Sequence, residues 1–429
     1  MTEATIALLV TLLLLLVSSA PIAVALGLTS FVYFFYFTTI PLTQVPERLF
    51  NSLNTFPLMA IPFFVLAANI MSRGGISKRL TDAGNALVGG FRGGLAMTAV
   101  LSCMFFAAIS GSSPATVVAV GTLLIPAMIN SGYPREFSTG LIATSGSLGI
   151  LLPPSIPLIV YGIATEQSIG DLFIAGILPG ILAGLMLLVL VIVVSRRRGY
   201  GTGEHAIVMT TKEKVQAFRD AGLSLVLPFL VLGGIYGGLF TPTEAAAVAV
   251  FYALFVSLVF YREITVKDLG KILLGSAKTS AMIMFIIANG ILFTFVLTSE
   301  RIPGQITETL TALNLSAFTF LLLVNGLLLL VGAFMETSSA ILIIAPILLP
   351  IGMELGINPI HLGIIMVMNL EIGMVTPPFG LNLFVASGLS GMTVLQVAKA
   401  SIPSALVLLA GLFIVTYVPF FSLALLGGG

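Results

Sequence analysis

The chain has 429 residues, of which 58% are hydrophobic and only 8% are charged, and its formal net charge is +1. Soluble proteins carry roughly 25% charged residues. A fold of this size with so few ionic groups could not cover its surface in water, so we predict an integral membrane protein. The small net charge does not favour nucleic-acid binding. One cysteine and two histidines exclude an internal disulfide and a zinc-binding cluster.

Apolar runs of about 20 residues, the length that crosses a bilayer, occur along the whole chain. In chain order the predicted spans are residues 4–19, 22–38, 55–72, 137–163, 172–195, 222–240, 243–260, 279–298, 358–389 and 401–425. No basic residue precedes the first run, so it is expected to be a retained anchor rather than a cleaved signal peptide. Two further apolar regions, 93–130 and 314–355, are interrupted by small polar residues. They are predicted to be re-entrant helical hairpins, which makes the fold class an all-α polytopic membrane protein of about ten spans plus two hairpins.

The distribution of basic residues predicts the orientation of these spans. If the N-terminus lies outside, 16 of the 18 Lys and Arg residues fall in cytoplasmic segments. Most of them are concentrated in residues 73–92, 196–220 and 261–278, and only Arg48 and Arg301 fall on the outer side. Both termini are therefore predicted to lie outside the cytoplasm.

An internal repeat is predicted to divide the chain into residues 1–220 and 221–429. Matching residues recur after 224 or 225 positions, and the pairs are Ser113 and Ser338, Pro126 and Pro350, Pro134 and Pro359, and Pro153-Pro154 and Pro377-Pro378. Each half is predicted to contain scaffold helices, one hairpin and one broken helix, and the broken helices are 137–163 and 358–389. The first half has an odd number of predicted spans, so the second half must be inverted relative to it. Inverted repeats with broken helices are typical of secondary transporters, whereas the alternative is a chance recurrence among 22 prolines.

The interruptions predict ion and anion sites. The first hairpin turns at residues 110–116, where Ser112 or Ser113 suits an N-cap and Pro114 suits the first helical position. Half-helix C-termini offer carbonyl oxygens that, with Ser and Thr hydroxyls, suit a hard cation such as Na⁺. Half-helix N-termini offer N–H donors and a positive dipole end that suit a carboxylate. This pattern favours cation–anion symport, and the alternative is that the same residues only permit close packing or kinks.

Two carboxylates lie in apolar sequence surroundings, where ionisable residues are functional by default. Glu336, near the second hairpin tip, is predicted to ligate a cation or carry a proton. Glu371 is predicted either to be a second coupling carboxylate or to pair with a scaffold group. By contrast, Thr241-Pro242-Thr243-Glu244 is typical of a capping box, which makes Glu244 structural.

Three segments resemble a known family: Ile-Ser-Gly-Ser-Ser-Pro-Ala-Thr-Val-Val-Ala-Val-Gly at 109–121, Gly-Ile-Leu-Leu-Pro-Pro-Ser at 149–155 and Glu-Ile-Gly-Met-Val-Thr-Pro-Pro-Phe-Gly at 371–380. They are similar to the large membrane subunit of TRAP (tripartite ATP-independent periplasmic) transporters. The resemblance implies a bacterial inner-membrane protein with periplasmic termini, a separate membrane subunit of about four helices, and a periplasmic substrate-binding protein. It also implies elevator-type, sodium-driven uptake of organic acids such as C4-dicarboxylates or sialic acid. Within the family, the chain looks most like the unfused large subunits of sialic-acid systems.

The resemblance also implies site residues. One sodium site is expected to use Ser110, Ser112, Ser113, Gly149 and Pro153, and the other Thr337, Ser338, Gly373 and Thr376. The substrate cavity is expected to be lined by Thr116, Ser155 and Asn382. Na⁺ is the expected coupling ion, and no organic cofactor is expected.

Three other functions are alternatives to this one. A stand-alone proton- or sodium-coupled anion transporter of similar architecture would share most of these features. An intramembrane enzyme such as a serine protease would need an activated base beside its nucleophile. His205 is predicted to lie in a cytoplasmic loop and His361 near the outer end of a span, so an enzyme is disfavoured. A channel is disfavoured because an inverted repeat predicts alternating access.

Overall fold

The structure is a computed structural model that describes residues 3–18, 20–38, 40–201, 209–302, 304–305, 308 and 316–427. Every regular element in these ranges is helical, which confirms the all-α prediction. Eight of the described helices are long and apolar enough to cross a membrane, or nine if the bent pair Arg135–Leu151 and Ile156–Thr165 is one span. The protein is therefore multi-pass, and the count of ten spans stays a prediction.

The described part of the first half has eleven α-helices that begin and end before the residue 202–208 gap. They are α1 (Glu3–Val17), α2 (Ile22–Tyr36), α3 (Gln44–Leu53), α4 (Ala60–Arg73), α5 (Ile76–Val88), α6 (Gly94–Ser110), α7 (Ser113–Asn130), α8 (Arg135–Ser145), α9 (Leu148–Leu151), α10 (Ile156–Thr165) and α11 (Ile169–Arg198). A 3₁₀ turn at Phe56–Met59 leads into α4. The predicted hairpin 93–130 corresponds to α6 and α7, and the predicted broken helix corresponds to α8 to α10.

The described part of the second half repeats the final elements in the same order. Its helices are α12 (Thr211–Tyr236), α13 (Pro242–Phe255), α14 (Val266–Ser299), α15 (Ala317–Gly332), α16 (Thr337–Glu354), α17 (Pro359–Gly373), α18 (Leu381–Ser390), α19 (Val394–Tyr417) and α20 (Phe420–Leu423). Hairpin α15–α16 is followed by the broken helix α17–α18 and the long helix α19, as α6–α7 is followed by α8–α10 and α11. The inverted relation of the two halves stays a prediction.

Local sequence explains where each hairpin turns. Gly111 has a φ of +59°, a left-handed conformation that favours glycine, and it ends α6. Ser112 is extended and is the N-cap of α7, as predicted, although its hydroxyl makes no capping hydrogen bond. In the second hairpin Glu336 is the N-cap of α16. Both turns therefore begin their returning limb at a polar residue.

The two halves exchange packing partners. The post-break helix of the first half, α10, packs on the returning limb α16 of the second hairpin. In the same way, α18 of the second half packs on the returning limb α7 of the first hairpin. The long helix α14 packs against α2, α3 and α4 on one side and against α16 on the other. Hence α14 lies between the N-terminal helices and the second hairpin.

Other predictions are met in part. Thr241 and Glu244 form the predicted capping box, with the Thr241 N–H donating to a Glu244 carboxylate oxygen at 2.8 Å and the Glu244 N–H donating to Thr241 Oγ1 at 3.3 Å. The predicted cytoplasmic segment 73–92 contains the short helix α5, which packs on α6 and α12. His205 lies outside the described residues.

Candidate functional site

The two hairpin tips meet at one cavity of about 240 Å³. Its lining combines both tips, residues beside both breaks and one face of α14. The lining residues are Gly111, Ser112, Ser113, Pro114, Ile150, Ile156, Pro157, Thr279, Met282, Ile283, Ile286, Glu336, Thr337, Ser338, Met374 and Leu381. The structure thus brings together segments that are more than 220 residues apart in sequence.

Four helices begin at this cavity. Ser113 and Pro114 are in the first turn of α7, and Thr337 and Ser338 are in the first turn of α16. The first turn of α10 and the first residue of α18 also line it. Helix N-termini present unpaired N–H groups and a positive dipole end. Four of them around one space make it suited to an anion.

The lining contains no Lys, Arg or His, as far as the described residues extend. Its polar side chains are hydroxyls and the Glu336 carboxylate, and the rest of the wall is mostly aliphatic or methionine. An anion in this cavity would therefore be held by backbone N–H groups, by hydroxyls and by any cation that binds with it. It would not meet a fixed cationic side chain.

The first tip forms a compact cluster of oxygen atoms. The hydroxyls of Ser110 and Thr116 are 2.9 Å apart, and Thr116 also donates to the Ser112 carbonyl oxygen at 2.9 Å. A Cβ atom on Gly149 would lie 2.8 Å from that same carbonyl oxygen, so only glycine permits this approach. Four of the five residues expected in the first sodium site lie at the tip or against it, namely Ser110, Ser112, Ser113 and Gly149. All of these except Ser113 belong to this cluster with Thr116. The fifth, Pro153, is buried in the break.

The second tip is packed against its own break in a similar way. Thr337 Oγ1 lies 3.3 Å from the Met374 sulfur. A Cβ atom on Gly373 would lie 2.4 Å from the Cα and carbonyl carbon of Gly332. Thr376, just beyond the end of α17, donates to the Ile372 carbonyl of that helix at 2.9 Å. The predicted residues therefore lie near one another, and their role as ligands stays a prediction.

A backbone hydrogen bond ties each break to its hairpin. In the first half the Ile156 N–H, just beyond the break, donates to the Gly111 carbonyl at 3.3 Å. In the second half the Phe379 N–H donates to the Ala333 carbonyl at 3.0 Å. Both Pro-Pro bonds, Pro153-Pro154 and Pro377-Pro378, are cis. Hairpin tip and helix break therefore form one structural unit in each half.

The exposure of the two breaks differs. Pro153 and Pro154 are buried, whereas Pro377 and Pro378 are exposed and the Phe379 side chain is 60% exposed. In this conformation the second break faces the outside of the chain and the first does not.

The three predicted substrate residues are fully buried and are not among the lining residues. Thr116 belongs to the first tip cluster, and Ser155 caps α10 by accepting from the Leu158 N–H at 3.4 Å. Asn382 lies between the two halves. Its amide nitrogen donates to the Ser113 hydroxyl at 2.6 Å. Direct contact of these three residues with substrate stays a prediction.

The two predicted carboxylates have different surroundings. Glu336 lines the cavity and accepts hydrogen bonds from the Ser338 hydroxyl at 2.9 Å and from the Ser339 N–H at 3.1 Å. Glu371 is only 3% exposed, and neither of its carboxylate oxygens has a hydrogen-bond partner among the residues that the structure describes. Glu336 is thus a helix cap that faces the cavity, and Glu371 is a buried acceptor.

Sequence reasoning missed two parts of this region. Ser147 lies at the start of α9 and accepts from the Asn382 amide at 3.3 Å. The sequence shows it only as one of several Ser and Thr residues in that span. No sequence pattern indicated that α14 lines the cavity through Thr279, Met282 and Ile286, because only tertiary packing places this helix beside the tips.

Comparison with known proteins identifies similar sequences along almost the whole chain. The sequence model of the family described as "Tripartite ATP-independent periplasmic transporter, DctM component" matches residues 9–421. A "C4-dicarboxylate TRAP transporter large permease protein DctM" of Pseudomonas aeruginosa is 50% identical, over 94% of this chain and 93% of that one. The "Isethionate TRAP transporter permease protein DctMQ" of Oleidesulfovibrio alaskensis is 43% identical over 95% of this chain and 64% of that protein.

Two further similarities bear on specificity and fold. The "Sialic acid TRAP transporter large permease protein SiaM" of Vibrio cholerae is 32% identical over 96% of each chain. Among solved structures, the YdaH transporter of Alcanivorax borkumensis has a TM-score of 0.66 and covers 99% of this chain and 100% of that one, at 17% identity. This last likeness shows a shared transporter fold.

Proposed function

Because this chain belongs to the DctM family of TRAP transporter large permeases, we propose that it performs sodium-coupled uptake of a small organic acid across the bacterial inner membrane. It is a membrane permease and not an enzyme. The observation that carries the proposal is the cavity at which four helix N-termini meet without a cationic side chain. Such a site favours an anion and needs a bound cation to balance its charge.

We propose a C4-dicarboxylate as the substrate class. The relatives named for C4-dicarboxylates are 45–50% identical to this chain, whereas the one named for sialic acid is 32% identical. The expected resemblance to sialic-acid systems is therefore not favoured. The helix N-termini at opposite tips, those of α7 and α16, could each receive one carboxylate of a short diacid.

The proposed sodium sites lie at the two tips. At the first tip, the Ser112 carbonyl and the hydroxyls of Ser110 and Thr116 supply oxygen atoms beside the glycine of the break. At the second tip, Thr337, Ser338 and Thr376 supply hydroxyls. Hard cations prefer such oxygen ligands. Sodium binding at each tip would hold the hairpin against its broken helix and complete the anion site.

Two partners are part of the proposal: a small membrane subunit and a periplasmic protein that delivers the substrate. The support is the family name, which describes a tripartite periplasmic system, and the relative named DctMQ, of which this chain spans only 64%. The remainder of that relative leaves room for a second membrane component in the same polypeptide.

The test is uptake of a radiolabelled C4-dicarboxylate by proteoliposomes that contain this chain and its small subunit, with the binding protein outside. Uptake that follows an inward Na⁺ gradient, and that is lost when choline replaces Na⁺ at equal ionic strength, supports the proposal. Uptake by this chain alone would indicate the stand-alone transporter instead. Uptake that follows a pH gradient and ignores Na⁺ would refute sodium coupling.

An elevator motion, in which the hairpins and broken helices move against α14, can be tested by a cross-link. A Cβ atom on Gly290 of α14 would lie 3.0 Å from the Leu342 Cβ of α16, close to the distance that a disulfide spans. In a Cys103→Ala background, the pair Gly290→Cys and Leu342→Cys is expected to abolish uptake on oxidation and to restore it on reduction. Full uptake by the oxidised, cross-linked protein would refute the motion.

A further inference from the structure

Glu371 is an ionisable side chain in the interior for which the described residues supply no counter-charge. It is 3% exposed, at the end of α17, and both carboxylate oxygens lack a hydrogen-bond partner. The hydroxyls of Ser113 and Ser147 lie nearby, and the charged group that acts on Glu371 is another carboxylate, Glu336. A buried carboxylate is strongly disfavoured in its charged form unless a cation or several donors compensate it. The surroundings of Glu371 therefore call for a positively charged ligand.

Asn382 provides a second, independent observation. It is fully buried, and its amide nitrogen donates to Ser113 Oγ at 2.6 Å, to Ser147 Oγ at 3.3 Å and to the Ala143 carbonyl at 3.3 Å. The Ala143 carbonyl can only accept, which fixes the orientation of the amide. The amide oxygen is consequently the free end, and it has no partner. Three buried acceptor atoms, two from Glu371 and one from Asn382, thus share Ser113 and Ser147 as neighbours.

We propose that Glu371, Asn382, Ser113 and Ser147 bind a sodium ion between the two halves, in addition to the ions at the tips. All their available atoms are oxygens, the ligands of hard cations. The site contains one carboxylate, which a single positive charge balances, whereas calcium sites in proteins usually recruit several carboxylates. This inference rests on the proposed sodium coupling and specifies where one of the ions binds.

The position of the site gives this ion a role in coupling. Ser113 and Ser147 belong to the hairpin and broken helix of the first half, and Glu371 and Asn382 belong to the broken helix of the second half. Ser113 also lines the substrate cavity. An ion held here would join the two broken helices and place a positive charge beside the bound anion. Without it, the carboxylate of Glu371 would repel a dianionic substrate.

The experiment counts sodium ions in the Glu371→Gln variant, which keeps the side-chain shape and removes the charge. Equilibrium binding of ²²Na⁺ to the purified chain and the ²²Na⁺-to-substrate flux ratio in proteoliposomes are measured together. Both are expected to fall by one ion relative to the wild-type protein. The matched control is Glu136→Gln, which removes an exposed carboxylate at the start of α8 and is expected to change neither count. An unchanged count in Glu371→Gln overturns the proposal, and so does the loss of one transported proton instead of one sodium ion.

A second variant keeps the test valid if Glu371→Gln does not fold. Ser147→Ala removes one hydroxyl and retains the carboxylate, so it is expected to weaken the apparent Na⁺ affinity about threefold or more without changing the ion count. Unchanged affinity in Ser147→Ala would argue against the site. A wild-type protein without Na⁺-dependent uptake would refute the proposed function itself, whereas Na⁺-dependent uptake with an unaltered ion count in Glu371→Gln would refute only this inference.

Discussion

The contact between Gly373 and Gly332 gives a quantitative prediction. A Cβ atom on Gly373 would lie 2.4 Å from two backbone carbons of Gly332 and 2.9 Å from the nitrogen of the following residue. Backbone atoms cannot rotate away, so Gly373→Ala must separate the ends of α15 and α17 by about 1 Å, since van der Waals contact between carbons begins near 3.5 Å. Overpacking of this kind costs about 1–3 kcal/mol. We expect this loss in the free energy of unfolding.

The chain supplies both the assay and the control for this substitution. It contains no Trp and a single cysteine, Cys103, which is fully buried. A maleimide dye that fluoresces on reaction with this thiol therefore reports unfolding during a temperature ramp. The control is Gly388→Ala in α18, where an added Cβ meets nothing within 4 Å. Because alanine favours helix over glycine, the control is expected to gain up to about 1 kcal/mol.

The same experiment tests the role of the contact in ion binding. Na⁺ is expected to raise the unfolding temperature of the wild-type protein and of Gly388→Ala, because a ligand of the folded state stabilises it. In Gly373→Ala that rise should shrink, since the second tip is displaced from its break. If Gly373→Ala unfolded at the wild-type temperature and kept the full Na⁺ response, the tight approach of the two helices would be refuted.

Three further changes are expected to alter stability. Tyr161→Phe removes the hydroxyl that donates to the Pro359 carbonyl at 2.7 Å, so thermal unfolding should show a loss of about 1 kcal/mol, and an unchanged midpoint would contradict the bond. Thr241→Ala removes the N-cap of α13 and should lower the free energy of unfolding by about 1 kcal/mol. The control Thr279→Ala removes an exposed hydroxyl in the interior of α14 and should cost less. Burial raises the pKa of the Asp82 carboxyl, although nearby Lys78 and Arg79 act to lower it. The charged form is therefore disfavoured in the folded protein, and wild-type stability falls as pH rises through that raised pKa. Asp82→Asn should therefore unfold at a higher temperature than wild type at pH 7, and the difference should vanish towards pH about 4; a gain that persisted in acid would refute the assignment.

The sequence was sufficient for the parts of the fold that depend on local chemistry. Runs of apolar residues located the described spans, and the Ser-Pro, Gly and Pro-Pro signals located the tip at Ser112 and the breaks after Gly149 and Gly373. The capping box at Thr241 follows from residue types three positions apart. Such features are fixed within a few residues of the chain, so they are visible without tertiary structure.

Features that depend on long-range packing were not predictable. The first turns of α7 and α18 are far apart in sequence, and only the exchange of packing partners places them at one cavity. The substrate contact expected of Asn382 stays a prediction, and no local pattern indicated that its amide nitrogen donates to Ser113 and Ser147. Nothing in the residues around Glu371 indicated that its carboxylate would lack partners, because that property depends on which helices surround it.

The anion proposed for the cavity at the two tips would be held by peptide groups, and this affects how such a permease could change its substrate. Peptide N–H groups remain when side chains are replaced, so mutation of the wall leaves the attraction for negative charge intact. In the proposed site, residues such as Ile150, Met282 and Ile286 could then vary in size and polarity, and each variant would still accept an anion. A transporter with such a site could therefore evolve to accept new acids through substitutions in the cavity wall, and the intermediate variants would keep their affinity for anions.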